Sequence, residues 1–481
     1  MAILRYSASA DTTITNAYRA DLKLRGTGSN MGYADSLEVF SIYGQTSGST
    51  GRSEELSRIL IDFPIARVIT DRAASTIPAS GSVSFYLRMF NAETPFTLPQ
   101  DFTLTVAPVS SSWTEGTGLD MDEYLDIGNA NWISSNTSTD WDYTGGDFLT
   151  ASNYNVTFPV GPEDMELDVS EIVERWIQSG NEFTNYGFGI HLTSSQEAYS
   201  ATGNLTGSTD TYYTKKFFAR SSEYFFKRPI LEARWDSRVQ DDRENFFYSS
   251  SLAPAADNLN TFYLYNYVRG RLVNIPAVGT NELDVSFYSS SVAAPTGSKI
   301  ELAAGGGTVA ALDTNATASY VSTGIYSCAV ALTAASTQLL AIHDVWHSGG
   351  VQFFTGSFYP EKFPTYQEAP TFTRVTSCRN LKKSYSKSDK SRFRFFVRDR
   401  NWSPTLYTVA TANNPTDVIT SASYAVTRVI DNYAAIPYGT GSDLSTYLSY
   451  DKDGNYFDLD ISMLEPGYIY KIKLSYYNDS I

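Results

Sequence analysis

The sequence predicts a mainly β protein built as three consecutive β-sandwich domains, the first jelly-roll-like with one short helix. Three observations lead there. Aromatic residues form 14% of the 481-residue chain, with 34 Tyr and 27 Phe, a balance that favours strands over helices. Short runs alternate apolar and polar residues and end at Gly, Pro or Asn turns. Only one stretch, Leu167–Leu192, carries a clear helical period.

In that stretch Ile172, Val173, Trp176 and Ile177 share one helix face, and Ser170 is placed to cap the helix by accepting from an early backbone N–H. Gly180 and Asn181 are expected to stop it, and Phe188–Leu192 to leave as a strand. A helix of about ten residues is marginal alone in water. It is therefore expected to plug the open end of a sandwich, with Trp176 inward.

Around it, the first domain is expected to span 1–236. The run 58–63 reads as a strand, 77–81 as a turn, and 82–90 as a strand with Val83, Phe85, Leu87 and Met89 on one face. Phe102, Leu104 and Val106 repeat that period. The polar stretches 117–160 and 193–214 read as insertions, and strands at 217–223 and 229–235 close the domain. A second domain is expected over 237–375, with strands near 261–268, 282–288, 325–332, 339–345 and 351–358. A third, immunoglobulin-like, covers 376–481, with a tight turn at Asp453-Gly454 and a final strand over 469–477.

Formal net charge is −16, unevenly placed. Residues 1–236 hold 30 Asp+Glu against 16 Lys+Arg, a net of −14; the remainder is close to neutral. This balance disfavours nucleic acid as a partner. No apolar run reaches the ~18 residues needed to span a bilayer, and no secretory signal is visible, so synthesis in the cytosol without membrane insertion is expected. Cys328 and Cys378 make no disulfide framework.

Several clusters invite chemistry. His343-Asp344-Val345-Trp346-His347 has the spacing of a zinc-protease helix, but Asp stands where that mechanism needs Glu, and the flanks alternate like a strand. Asp451, Asp453, Asn455, Asp458 and Asp460 lack the EF-hand register, because Gly454 is fourth rather than sixth. Glu115, Asp120, Asp122, Glu123 and Asp126 suit a solvated acidic loop, with a calcium loop as the alternative. No catalytic triad or phosphate-binding glycine motif accompanies them, so no catalytic residue, metal site or cofactor is expected. Trp132, Trp141, Tyr143, Tyr212 and Tyr213 lie in polar surroundings, where exposed rings would stack on sugars or anchor protein contacts. Residues 374–400 hold ten Lys+Arg and two Asp, a net of +8. Lys382, Lys383, Lys387, Lys390 and Arg392 are its interface candidates, and an acidic protein neighbour is the preferred partner.

Taken in order, RILIDF (58–63), IPASG (77–81), SFYLRMF (84–90), SSWTEG (111–116), LDVSEIVERW (167–176), NYGFGI (185–190), SSE (221–223) and RPILEARW (228–235) resemble the DNRLRE-type domain, a β-sandwich related to carbohydrate-binding modules. DVWHSGGVQFFTGSFYP (344–360) and LSYDKDGNYFDLDIS (448–462) with LEPGYIYKIKL (464–474) are similar to C-terminal units of tailed-phage structural proteins. The resemblance implies a non-enzymatic virion component, on the collar, tail, fibre or capsid exterior, that assembles with other virion proteins and with copies of itself. The alternative it implies is a fibre or decoration protein whose first domain attaches to host-surface polysaccharide.

Overall fold

The computed structural model describes the chain except residues 1, 22, 44–53, 95–97, 122, 179–182, 198–211, 251–257, 291–294, 301, 305–311, 314, 333–338, 340, 361–372, 406–415, 442–444 and 478–481. Its regular structure is mainly antiparallel strand. It divides into two compact units, residues 2–236 and 237–481.

In the first unit a four-stranded sheet runs in the order Ala2–Ser7, Ile230–Trp235, Ser84–Met89, Met165–Asp168. The seven-stranded sheet follows Tyr212–Phe218, Ser36–Tyr43, Glu54–Asp62, Phe188–Leu192, Phe102–Pro108, Tyr154–Phe158, with Ala10–Thr15 also paired to Glu54–Asp62. One core joins them. Phe85, Leu87 and Leu231 come from the first sheet, and Ile59, Ile61, Leu104, Val106 and Ile190 from the second. The period-2 run expected over 82–90 lands as read: Val83, Phe85, Leu87 and Met89 are all buried.

The helix Ser170–Ile177 buries Ile172, Val173 and Trp176, with the Trp176 ring 4.7 Å from Phe188. At about 1.5–3 kcal/mol per large apolar side chain, that face rather than intrinsic propensity holds eight residues helical. The cap differs from expectation. Ser170 Oγ accepts from the Phe85 N–H at 2.7 Å and donates to Asp168 Oδ1, so it ties the helix to a strand. Asp168 Oδ1 instead takes the Ser170 N–H. Gly180 and Asn181, the expected stop, lie outside the described residues.

The helix is also not alone. Ile65–Ala73 forms a second, behind Pro64, and the short turn Ser194–Glu197 a third. Arg72 and Glu174 join the two longer helices through a bidentate pair at 2.6 Å.

The second unit holds two β regions. In an eight-stranded sheet, Ala316–Ser322 pairs with Leu283–Ser290 through residues 316–318 and with Ile325–Ala331 through 319–322. One strand thus serves both halves of a sheet whose core includes Phe262, Phe287, Trp346 and Phe358. The other region is a sandwich. A four-stranded sheet (Arg374–Cys378, Lys390–Asp399, Gly454–Asp460, Ser449–Asp451) meets a three-stranded one (Ala434–Ile436, Ala422–Arg428, Tyr470–Tyr476). Phe457 and Tyr424 stack across that interface at 4.0 Å. The segment before the first region is bound to the sandwich: Tyr450 N–H donates to Val239 O, Asp241 N–H to Tyr450 O, and Tyr450 Oη to Asp242.

Candidate protein-docking groove

The basic run expected between 374 and 400 separates into two kinds of charge. Three of its arginines are tied to the fold. Arg392 forms a bidentate pair with Asp458, Arg394 another with Asp451, and Arg379 lies over the Phe396 ring at 4.1 Å. Two carboxylates of the calcium-like run are thereby used; Asp460 accepts from the Ser462 N–H. The lysines differ. Lys382, Lys383, Lys387 and Lys390 are exposed.

The loop carrying the first three is built, not slack. Asn380 donates to Arg392 O and accepts from the Arg394 N–H. Lys382 N–H donates to Tyr385 Oη, and Ser386 N–H to Asp389 Oδ2. Asp389 O in turn accepts from the Ile461 N–H, and the Tyr385 ring packs 5.5 Å from Phe393. Facing it, the Pro466-Gly467 turn uses a positive φ of 86° at Gly467, which suits glycine. Arg428 bridges Glu465 and Asp431 beneath that turn. The hydrogen bond to Asp431 raises the Arg428 pKa, so this bridge keeps its charge.

Between the two walls the sandwich end stays open as a cavity of about 480 Å³. Phe393 and Leu459 from one sheet and Val426 and Ile472 from the other form its floor. Lys382, Lys383 and Lys387 stand at the mouth, and Leu381, Tyr468 and Ile469 form an exposed apolar rim. The combination can take an acidic partner with apolar side chains: the cavity desolvates the apolar groups, while the lysines meet the charge.

The aromatic candidates of the first unit come out differently. Trp132 and Trp141 are 4% and 5% exposed, not surface platforms. They form a second core with Ile14, Leu56, Leu60 and Ala130. Trp141 Nε1 donates to Asn131 O, and Arg58 lies 5.3 Å over the Trp132 ring while pairing with Glu197. The physical reason lies in the strand Glu54–Asp62. Ile59 and Ile61 point into the main core, whereas Leu56 and Leu60 belong to the second core; the 117–160 stretch supplies its tryptophans. An apolar strand residue on both faces is the signal that a second layer covers the sheet. Gly145, at φ +91°, sits where a Cβ would come within 2.9 Å of Trp132. Tyr213 is half-buried, its ring 6.1 Å from Phe102. The Tyr212 side chain lies outside the described residues. Among the four whose side chains are described, Tyr143 alone is placed as expected, exposed on its loop.

In the acidic cluster after Trp113, Glu115, Asp120 and Asp126 brace local structure, and Glu123 is exposed. Glu115 holds Arg220 and accepts the Asp11 N–H. Asp126 accepts from the Leu119 and Asp120 N–H groups, and Asp120 from those of Glu123 and Leu125. Asp122 lies outside the described residues. Burial pushes the Asp11 carboxyl up to about 7, against the Arg220 N–H that it accepts and with Glu115 adding to the rise.

His343 and His347 sit on the strand Ala341–Ser348, not on a helix. Four residues along a strand span roughly 13 Å, too far for one metal ion. Asp344 between them is buried and binds Arg243 and the Trp346 indole N–H, and the His347 ring nitrogen Nε2 is 2.7 Å from Ser286 Oγ. Among the described residues no group of three or more His, Cys, Asp or Glu is placed to hold a metal ion. No described helix is long and apolar enough to cross a membrane.

Compared with known proteins, the chain matches no protein-family model and no curated protein sequence.

Proposed function

We propose that this chain is a non-enzymatic structural protein that works by assembly through protein–protein contacts. The setting is that of the tailed-phage virion its sequence resembles. One observation carries the reading: the lysine-fringed, apolar-floored groove at the open end of the C-terminal sandwich. An exposed apolar rim of this kind is stable in water at a cost and marks an interaction surface. Rigid sandwiches then act as spacers, and the groove selects the neighbour. The polysaccharide reading has less support, because two of its five aromatic candidates are core residues and, among the four whose side chains are described, only Tyr143 presents an exposed ring.

The test is multi-angle light scattering of the purified chain from low to high micromolar concentration, with mass spectrometry of intact particles to count copies. Concentration-dependent oligomers, or incorporation in fixed copy number, are expected. A chain that stays monomeric throughout and is missing from particles would overturn the proposal.

A further inference from the structure

We infer that the occupant of the groove is a second copy of this chain, presenting its acidic 117–127 loop. The inference rests on the assembly reading above and names its partner.

The five most exposed aliphatic side chains among the described residues are Ile430, Ile469, Ile127, Leu119 and Leu381, between 64% and 77% exposed. They fall on two surfaces. Leu381 and Ile469 line the groove, and Ile430 follows Val429, whose N–H donates to Ile469 O. Leu119 and Ile127 belong to one loop, with Leu125, also exposed, between them. Large aliphatic side chains this exposed, gathered on two sites, point to contacts made in an assembly.

The charges of the two surfaces are opposite. Residues 101–150 contain nine Asp or Glu and no Lys or Arg. Within the loop, Asp120, Glu123 and Asp126 alternate with the exposed aliphatics. The groove sets Lys382, Lys383 and Lys387 beside an apolar floor. The loop is also stiff. Asp126 and Asp120 each close backbone N–H groups of the loop itself, and Asn30 braces it by donating to Glu115 O and accepting from the Gly118 N–H. A pre-shaped knob loses little freedom on docking. The apolar rim extends past the cavity, a wider surface than a small amphiphile needs, and favours a protein segment.

Groove and knob are different patches, so the contact is heterologous. After a first docking one groove and one knob remain, to take a further copy or to close the pair reciprocally.

The experiment uses the full chain in sedimentation velocity over a hundredfold concentration range. The groove variant is Lys382→Glu/Lys383→Glu; the knob variant is Leu119→Ser/Ile127→Ser. Wild type is expected to associate as concentration rises, and each variant alone to weaken association at least tenfold. An equimolar mixture of the two variants is expected to form a 1:1 dimer and nothing larger, because only one productive contact remains. Thermal melts within 2–3 °C of wild type would show both variants folded. Should either melt early, Ile469→Ser and Leu125→Ser carry the same test. If wild type assembles and both variants assemble equally well, the groove–knob contact is overturned while the assembly reading stands. If wild type is monomeric throughout, the groove–knob contact is overturned, and the assembly reading falls with it only if the chain is also missing from particles. A mixture that stays monomeric, or wild type isolated as a monomer with a small amphiphile in native mass spectrometry, also overturns the inference.

Discussion

Charge is handled in opposite ways on the four-stranded sheet of the first unit, on the face turned away from its core, and at the end of the C-terminal sandwich. In the four-stranded sheet, Glu232 is buried and bonded to Arg5, Arg88 and Arg234, and Arg234 extends the network to Glu166. Burial alone would raise the Glu232 carboxyl; the three guanidiniums outweigh it and hold it at about 2. At the groove, Lys382 and Lys383 stand at the surface around apolar floor residues. The first arrangement uses charge to fix one strand register. The second leaves charge facing outward, where it costs the fold little and is available to a neighbour.

That contrast predicts a graded set of effects. Glu232→Ala removes the buried partner that three guanidiniums share, leaving Arg88 and Arg234 with Glu166 alone, and is expected to lower stability by roughly 3–5 kcal/mol, read as a large fall in the urea midpoint. Trp176→Ala should follow closely, at about 3–5 kcal/mol, by opening a cavity against Phe188. The pH response comes next, and its two ends belong to different residues. Glu232 has a depressed folded pKa, so its stabilisation is present above the unfolded value of 4.5 and fades as pH falls toward 2. Asp11 is raised to about 7, so its contribution is full below 3.8 and is lost as pH rises through 7. Asp11→Asn should therefore flatten the decline in stability between pH 4 and 7, measured by urea melts at four pH values; an unchanged slope would assign that decline elsewhere. Smallest of all, Lys382→Glu/Lys383→Glu is expected to shift stability by no more than about 0.5 kcal/mol.

Much of the β architecture was legible because large apolar residues on these strands repeat every two positions, as in 82–90 and 102–106. The hairpin around Asp453 was legible from its turn dipeptide, although Gly454 belongs to the returning strand with φ +106°. The helix Ile65–Ala73 was hidden: it is short, rich in β-branched residues and buries only Ile65 and Val68. The burial of Trp132 and Trp141 is hidden in the sequence because their neighbours along the chain are polar, while their neighbours in space are Leu56 and Leu60 from a distant strand. The groove was half legible. The lysines announce themselves as a run, but the floor that gives them a purpose is assembled from four strands.

The placement of Ile230–Trp235 carries a consequence for the order in which the first unit can form. This strand lies between Ala2–Ser7 and Ser84–Met89, pairing Ala2 with Trp235 and Phe85 with Ala233. Until the ribosome has released residue 235, the earliest strand has no neighbour, and Phe85 and Leu87 lack the cover that Leu231 and Ala233 bring. Sheets closed by such distant partners form slowly, because the long loop must close before its contacts repay the lost freedom. The unit is thus committed to its fold only after its whole length has been translated, and a chain stalled short of residue 230 is a natural client for chaperones.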